Sequence, residues 1–209
     1  RRVQIDVVDG RFAKKRWFSP RTWPYTDRKR FEKLIEDEHG LPFWQEITYE
    51  FDLMIQNPLE EVMNFVHAGG THIIVHAGAP GAAEALQKLA DQRENDDGAF
   101  TITTGVALLP DMQPDVLEHF DALYDYVQVM GINRIGRQGS AFEPQSLALI
   151  ERLRKRYPDL AIQVDGGVTL ERARQFVSAG ANRLVTGSAI FNTDDAIAAY
   201  NALYTEVNA

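Results

Sequence analysis

Apolar runs of strand length recur along the chain at Val3 to Val8, Ile47 to Met54, Thr71 to Ala77, Thr101 to Leu109, Tyr124 to Ile132, Leu160 to Val164 and Arg183 to Thr186. Between them lie segments whose apolar positions recur with helical spacing. These are Pro58 to Ala68 (with Val62, Phe65 and Val66 on one side), Ala82 to Arg93, Pro144 to Tyr157, and Leu170 to Ala179 followed by Gly180. Strand and helix in alternation predict a parallel sheet covered by helices.

Two internal echoes extend that reading. Phe65-Val66-His67-Ala68-Gly69 before the third strand returns as Phe176-Val177-Ser178-Ala179-Gly180 before the last, and Gln4-Ile5-Asp6 returns as Gln163-Val164-Asp165. A repeated unit of this kind predicts closure toward a (β/α)₈ barrel of the TIM type, formed as a single α/β domain over residues 1–209. Seven βα units are visible. The first of the eight, which would precede Arg1, is therefore expected to be missing or replaced.

Side chains alternate faces along a strand, so sorting each run by parity separates its two sides. Gln4 and Asp6 share a face, as do Glu50, Asp52 and Met54, then His72, Ile74 and His76, then Gln128 and Met130, then Gln163 and Asp165. Carboxylates in otherwise apolar strands need a compensating partner, an ion, a substrate or solvent. Strand ends of a parallel barrel converge on the mouth where catalysis is built, which singles out Asp6, Asp52, Asp165 and His76. Asp9, followed by Gly10, reads instead as a turn residue. The glycines of Val164-Asp165-Gly166-Gly167-Val168 and Thr186-Gly187-Ser188-Ala189 predict anion-holding turns, with Gly166, Gly167, Gly187 and Ser188 around a phosphate.

Composition narrows the chemistry. At 44% hydrophobic and 25% charged residues the chain has the makeup of a compact soluble domain, and no run approaches a membrane span. No leader segment is visible, so the cytoplasm is the default compartment and no membrane partner is expected. The absence of cysteine excludes thiolate nucleophiles, zinc-thiolate centres and iron–sulfur clusters. A net charge of −8 opposes a nucleic-acid partner. One stretch runs against that charge: Lys14, Lys15, Arg16, Arg21, Arg28, Lys29 and Arg30 alternate with Trp17, Phe18, Trp23 and Tyr25. Three uses of it stay open: a lid over an anionic substrate, a nucleic-acid patch, or a contact in a homo-oligomer.

The ordered motifs resemble the ribulose-phosphate 3-epimerase family across nearly the whole chain. They are Gln-Ile-Asp-Val-Val-Asp-Gly-Arg-Phe (4–12), Asp-Leu-Met-Ile-Gln-Asn-Pro (52–58), Ala-Gly-Gly-Thr-His-Ile-Ile-Val-His (68–76), Val-Gln-Val-Met (127–130), Val-Asp-Gly-Gly-Val (164–168) and Gly-Ser-Ala-Ile-Phe (187–191). The resemblance implies an isomerase of carbohydrate metabolism that interconverts ketopentose phosphates through an enediolate. In it, Asp6 and Asp165 act as the acid/base pair, and Met54, His76, Met130 and Gly139 contact a small-molecule phosphosugar. It also implies a divalent metal between those aspartates and two histidines, but the matching positions hold Gln4 and Asp52. Asp6, Asp52 and Asp165 then form an oxygen-rich candidate set, leaving magnesium, manganese, iron, zinc or no ion open and moving the preference toward magnesium, calcium or manganese. Two rivals follow: a phosphosugar-binding barrel without turnover, or a lyase or aldolase on the same barrel. The second is disfavoured by Val8 where those relatives carry a lysine.

Overall fold

The computed structural model describes residues 1–12, 21–36, 40–95, 101–136 and 140–208. Gly139 and the first half of the basic-aromatic stretch lie outside the described residues. Contacts divide the chain into two compact units, residues 1–106 with 117–125, and residues 107–116 with 126–209.

The first unit carries β1 (Arg2–Val8), α1 (Arg28–Ile35), β2 (Thr48–Met54), α2 (Pro58–His67), β3 (His72–His76), α3 (Ala82–Asn95) and the start of β4 (Thr103–Leu108). β1 to β2 and β2 to β3 are parallel pairs, with Gln4 beside Glu50 and Glu50 beside His72, then Asp6 beside Asp52 and Asp52 beside Ile74. The polar stripe expected from parity thus falls into layers. Opposite that stripe, Phe65 packs at a tilt against both Phe31 and Phe51, with ring centroids 5.1 and 5.3 Å apart, and Trp23 contacts the same two rings. Gly70 is where α2 turns into β3: a Cβ there would meet Phe51 Cδ2 at 2.5 Å and the Phe65 carbonyl oxygen at 2.7 Å.

The second unit continues with β5 (Tyr126–Met130), α4 (Gln145–Arg156), β6 (Ala161–Asp165), α5 (Leu170–Ala179), β7 (Arg183–Val185), α6 (Ser188–Phe191) and α7 (Ala196–Asn208). β5 to β6 and β6 to β7 are again parallel, placing Gln128 beside Gln163 and Met130 beside Asp165. Leu149, Ile150 and Leu153 of α4 and Ala173 and Phe176 of α5 are buried against these strands. α5 ends where Gly180 enters the left-handed region at φ 117°, a conformation that costs glycine little.

All seven predicted strands are present, so the α/β class and the seven-fold βα repeat hold. Three differences from the sequence reading stand out. Asp6 does not end its strand, since β1 runs on to Val8. The second half of the basic-aromatic stretch contains a helix that the periodicity did not mark, since α1 starts at Arg28 behind an Asp27 cap that accepts from the Arg30 amide at 3.2 Å. α7 adds a helix that the periodicity did not call for. No helix among the described residues is long and apolar enough to cross a membrane.

Candidate active site

In the first unit the site grows out of the layered stripe. Asp6 and Asp52 stand side by side on neighbouring strands, each with a carboxylate oxygen within 4.8 Å of the other's. Asp52 is fully buried, and His76, also buried, brings Nε2 to 3.0 Å from Asp52 Oδ1. A buried carboxylate is tolerated only with such a partner. Asp6 is exposed on one side and accepts from the Gln4 amide at 3.0 Å. Its pKa is nonetheless pushed up to about 6. Withdrawal from bulk water is the largest cause and the charge of Asp52 the second, while the Gln4 hydrogen bond and His76 act in the opposite sense. Two acids this close make an oxygen donor pair suited to a hard divalent cation.

Just beyond, Asp9 Oδ1 accepts from the Arg11 and Phe12 amides at 2.6 and 2.9 Å, and its Oδ2 accepts from Gln56 N at 2.7 Å. Asp9 therefore shapes a turn, as the sequence indicated, and ties the β1 loop to the β2 loop. Thr22 secures the same region: its hydroxyl accepts from Val8 N at 2.8 Å and donates to the Asp6 carbonyl at 2.6 Å.

In the second unit Asp165 closes β6 and is followed by Gly166 at φ 90° and Gly167 at φ 70°, conformations that exclude most side chains. The turn is locked from behind. Gly131 N donates to the Asp165 carbonyl at 2.7 Å, and a Cβ on Gly131 would lie 2.0 Å from the Gly166 carbonyl oxygen. Arg172 donates to the Gly167 carbonyl at 2.8 Å while lying over the Phe142 ring. Gly187 and Ser188 follow β7, which pairs with β6, so both glycine turns leave the same end of adjacent strands.

In the first unit Asp6 and Asp52 each lie two residues short of the end of their strand, while Met54 and His76 close β2 and β3. In the second unit Met130 and Asp165 close β5 and β6, and Gly166, Gly167, Gly187 and Ser188 lie just after β6 and β7. Met54 and Met130 are both buried, and Met130 Sδ receives a hydrogen bond from Gln128 Nε2 at 3.4 Å. Within the basic-aromatic stretch, Tyr25 donates to Glu61 at 2.8 Å and Arg28 lies over the Tyr25 and Phe31 rings, so these residues fasten α1 to α2. Sequence reasoning missed Thr169 and Thr186. Their hydroxyls are buried without a hydrogen-bond partner and flank the two glycine turns. A hydroxyl immediately beside each Gly-containing turn was the available signal.

Comparison with known proteins places this geometry. The ribulose-phosphate 3-epimerase family model matches residues 34–191. A ribulose-phosphate 3-epimerase of Bacillus subtilis is 32% identical over 200 residues, covering 92% of this chain and 81% of that protein. One from Schizosaccharomyces pombe is 30% identical over 148 residues, covering 71% of this chain, which spans only 61% of that relative's length. Among solved structures, 3-hexulose-6-phosphate synthase from Salmonella typhimurium superposes with a TM-score of 0.62 at 14% identity, covering 88% of this chain and 83% of that one, a likeness of fold alone. Motif order, strand register and the match over most of the sequence agree, and the chain belongs to the ribulose-phosphate 3-epimerase family.

Proposed function

We propose that the protein is a phosphosugar isomerase that interconverts ketopentose phosphates epimeric at the carbon next to the carbonyl. One carboxylate removes the proton from that carbon, the electron pair moves onto the carbonyl to give an enediolate, and a carboxyl group on the other face returns a proton. Asp6 and Asp165 take these two roles. The single observation that carries the reading is membership of the ribulose-phosphate 3-epimerase family over most of the chain.

The remaining residues divide the work. Gly166, Gly167, Gly187 and Ser188 offer backbone amides to the phosphate, and the Thr169 and Thr186 hydroxyls supply donors that the protein itself leaves unused. Met54 and Met130 give the sugar carbons an apolar cover. Asp6, Asp52 and Asp165 would hold a divalent cation, whose chemistry when bound is to stabilise negative charge on the enediolate oxygens. An amide, Gln4, and a carboxylate, Asp52, in place of two imidazoles favour magnesium or manganese over zinc.

The test is solvent deuterium incorporation into ribulose 5-phosphate, followed by NMR, with magnesium, manganese, iron and zinc each supplied. Exchange at the carbon next to the carbonyl is the expected result. Thermal stabilisation by the phosphosugar without exchange under any of these conditions would replace the enzyme with a binding barrel.

A further inference from the structure

A buried side chain behind the proposed cation site has no role in the proton transfer, yet the fold goes to some length to hold it. His76 is 1% exposed at the end of β3, and Asp52, 0% exposed, lies within β2. Its ring cannot swing freely. Phe12 packs edge-on against it with centroids 5.4 Å apart, and Phe12 is itself fixed by the hydrogen bond from its amide to Asp9. Asp9 in turn holds the Gln56 amide, so the β1 and β2 loops brace the ring together. Behind the ring, the His76 carbonyl accepts from Ala79 N at 2.9 Å, which sets the backbone at the strand end. The product of this bracing is one short contact, from His76 Nε2 to Asp52 Oδ1 at 3.0 Å.

A carboxylate has two oxygens in a rigid plane, so anchoring one of them sets the direction of the other. Asp52 stands in register with Asp6, its carboxylate within 4.8 Å of the Asp6 carboxylate. We infer that His76 is a positioning residue: it touches neither sugar nor cation, but holds the Asp52 carboxylate in the orientation with which Asp52 and Asp6 together grip a divalent cation. This rests on the cation set named above. Partners that orient a metal-ligating group in this way contribute about 10- to 100-fold to affinity.

The test measures binding of Mn²⁺ alone to the full 209-residue chain by EPR, with no sugar present, and thermal melts of every variant. His76→Asn and His76→Gln carry the same amide, but only the longer side chain reaches Asp52. His76→Asn should weaken Mn²⁺ about 10- to 100-fold, and His76→Gln should recover most of the loss. In an Asp52→Asn background, His76→Asn should cause no further weakening. Should His76→Asn not fold, His76→Leu takes its place in the same comparison. Unchanged Mn²⁺ affinity in His76→Asn, equal weakening by Asn and Gln, or an undiminished effect in the Asp52→Asn background each overturns the inference. Failure of the wild-type chain to bind Mn²⁺ at millimolar concentration removes the cation from the proposed function and the role of His76 with it. Wild-type binding that is indifferent to His76 removes this inference alone.

Discussion

The polar stripes of the two units are built from different chemistry. Along β1 to β3 the inward positions carry ionisable groups, Glu50, His72, Asp6, Asp52 and His76, each fastened to a partner: Arg2 contacts Glu50 at 3.3 Å, and His76 contacts Asp52 at 3.0 Å. Along β5 to β7 the corresponding layer holds an amide pair, Gln163 donating to Gln128 at 2.8 Å, with Arg183 in register beside Gln163 and lying over the Tyr126 ring, and Asp165 is the acidic group of these strands among the described residues. In the turn after β6, Gly166 at φ 90° and Gly167 at φ 70° present backbone where a side chain would be strained. The first unit is therefore expected to control charge and proton affinity, and the second to control shape and anion binding. In the first, a substitution should change function with modest effects on folding. In the second, the glycine positions should fail by steric collision.

The largest expected effect joins the two. Asp6→Asn and Asp165→Asn should each lower the epimerisation of ribulose 5-phosphate by about 100- to 10,000-fold while the chain stays folded. If one of the two keeps near-normal epimerisation, the paired acid/base roles fail. Next comes Gly131→Ala, whose Cβ would sit 2.0 Å from the Gly166 carbonyl oxygen. It should destabilise the protein by about 1–3 kcal/mol or more in denaturant melts, since backbone on both sides leaves no flexible end to give way. A smaller change is expected for Thr186→Val. Removing a buried hydroxyl that has no partner should leave the melting temperature unchanged or raised. The same change should raise KM for the phosphosugar several-fold if that hydroxyl serves the phosphate, by roughly the worth of one hydrogen bond. A lowered melting temperature with unaltered KM would make Thr186 structural.

The subtlest effect concerns protons. Because burial and Asp52 raise the Asp6 pKa to about 6, the Asp6 carboxyl in the metal-free protein changes charge near that pH, well above an ordinary carboxyl. The folded state thus holds this proton more tightly than the unfolded chain, and the contribution of Asp6 to stability declines as pH rises from about 4 to about 6. Asp52→Asn should move the Asp6 titration, followed by carboxyl ¹³C NMR, down toward the ordinary value. An unmoved titration would break the electrostatic half of the comparison.

Much of this could be read before any coordinates. Period-two alternation placed Gln4 with Asp6 and Glu50 with Asp52, and parallel pairing then put them in register. The helix Leu170 to Ala179 was legible to the residue, because its apolar positions and its terminal glycine speak with one voice. α1 was not legible: its buried face rests on Phe31 and Leu34 alone, set in a run of Arg, Lys and Glu. The bond between His76 and Asp52 also escaped, since it joins side chains on neighbouring strands at different heights, and parity reports only which face a residue occupies.

The order of strands and helices, the polar side of each strand and the family motifs were determined by the sequence itself, because alternation and helical spacing are local properties that survive without knowledge of neighbours. Tertiary structure alone decided which acid acquires a buried partner, which remains open with a raised proton affinity, and which glycines face a backbone too near for any side chain. Those outcomes depend on distances between atoms far apart in the chain, and electrostatic and steric energies change steeply over the few ångströms that register and rotamer fix.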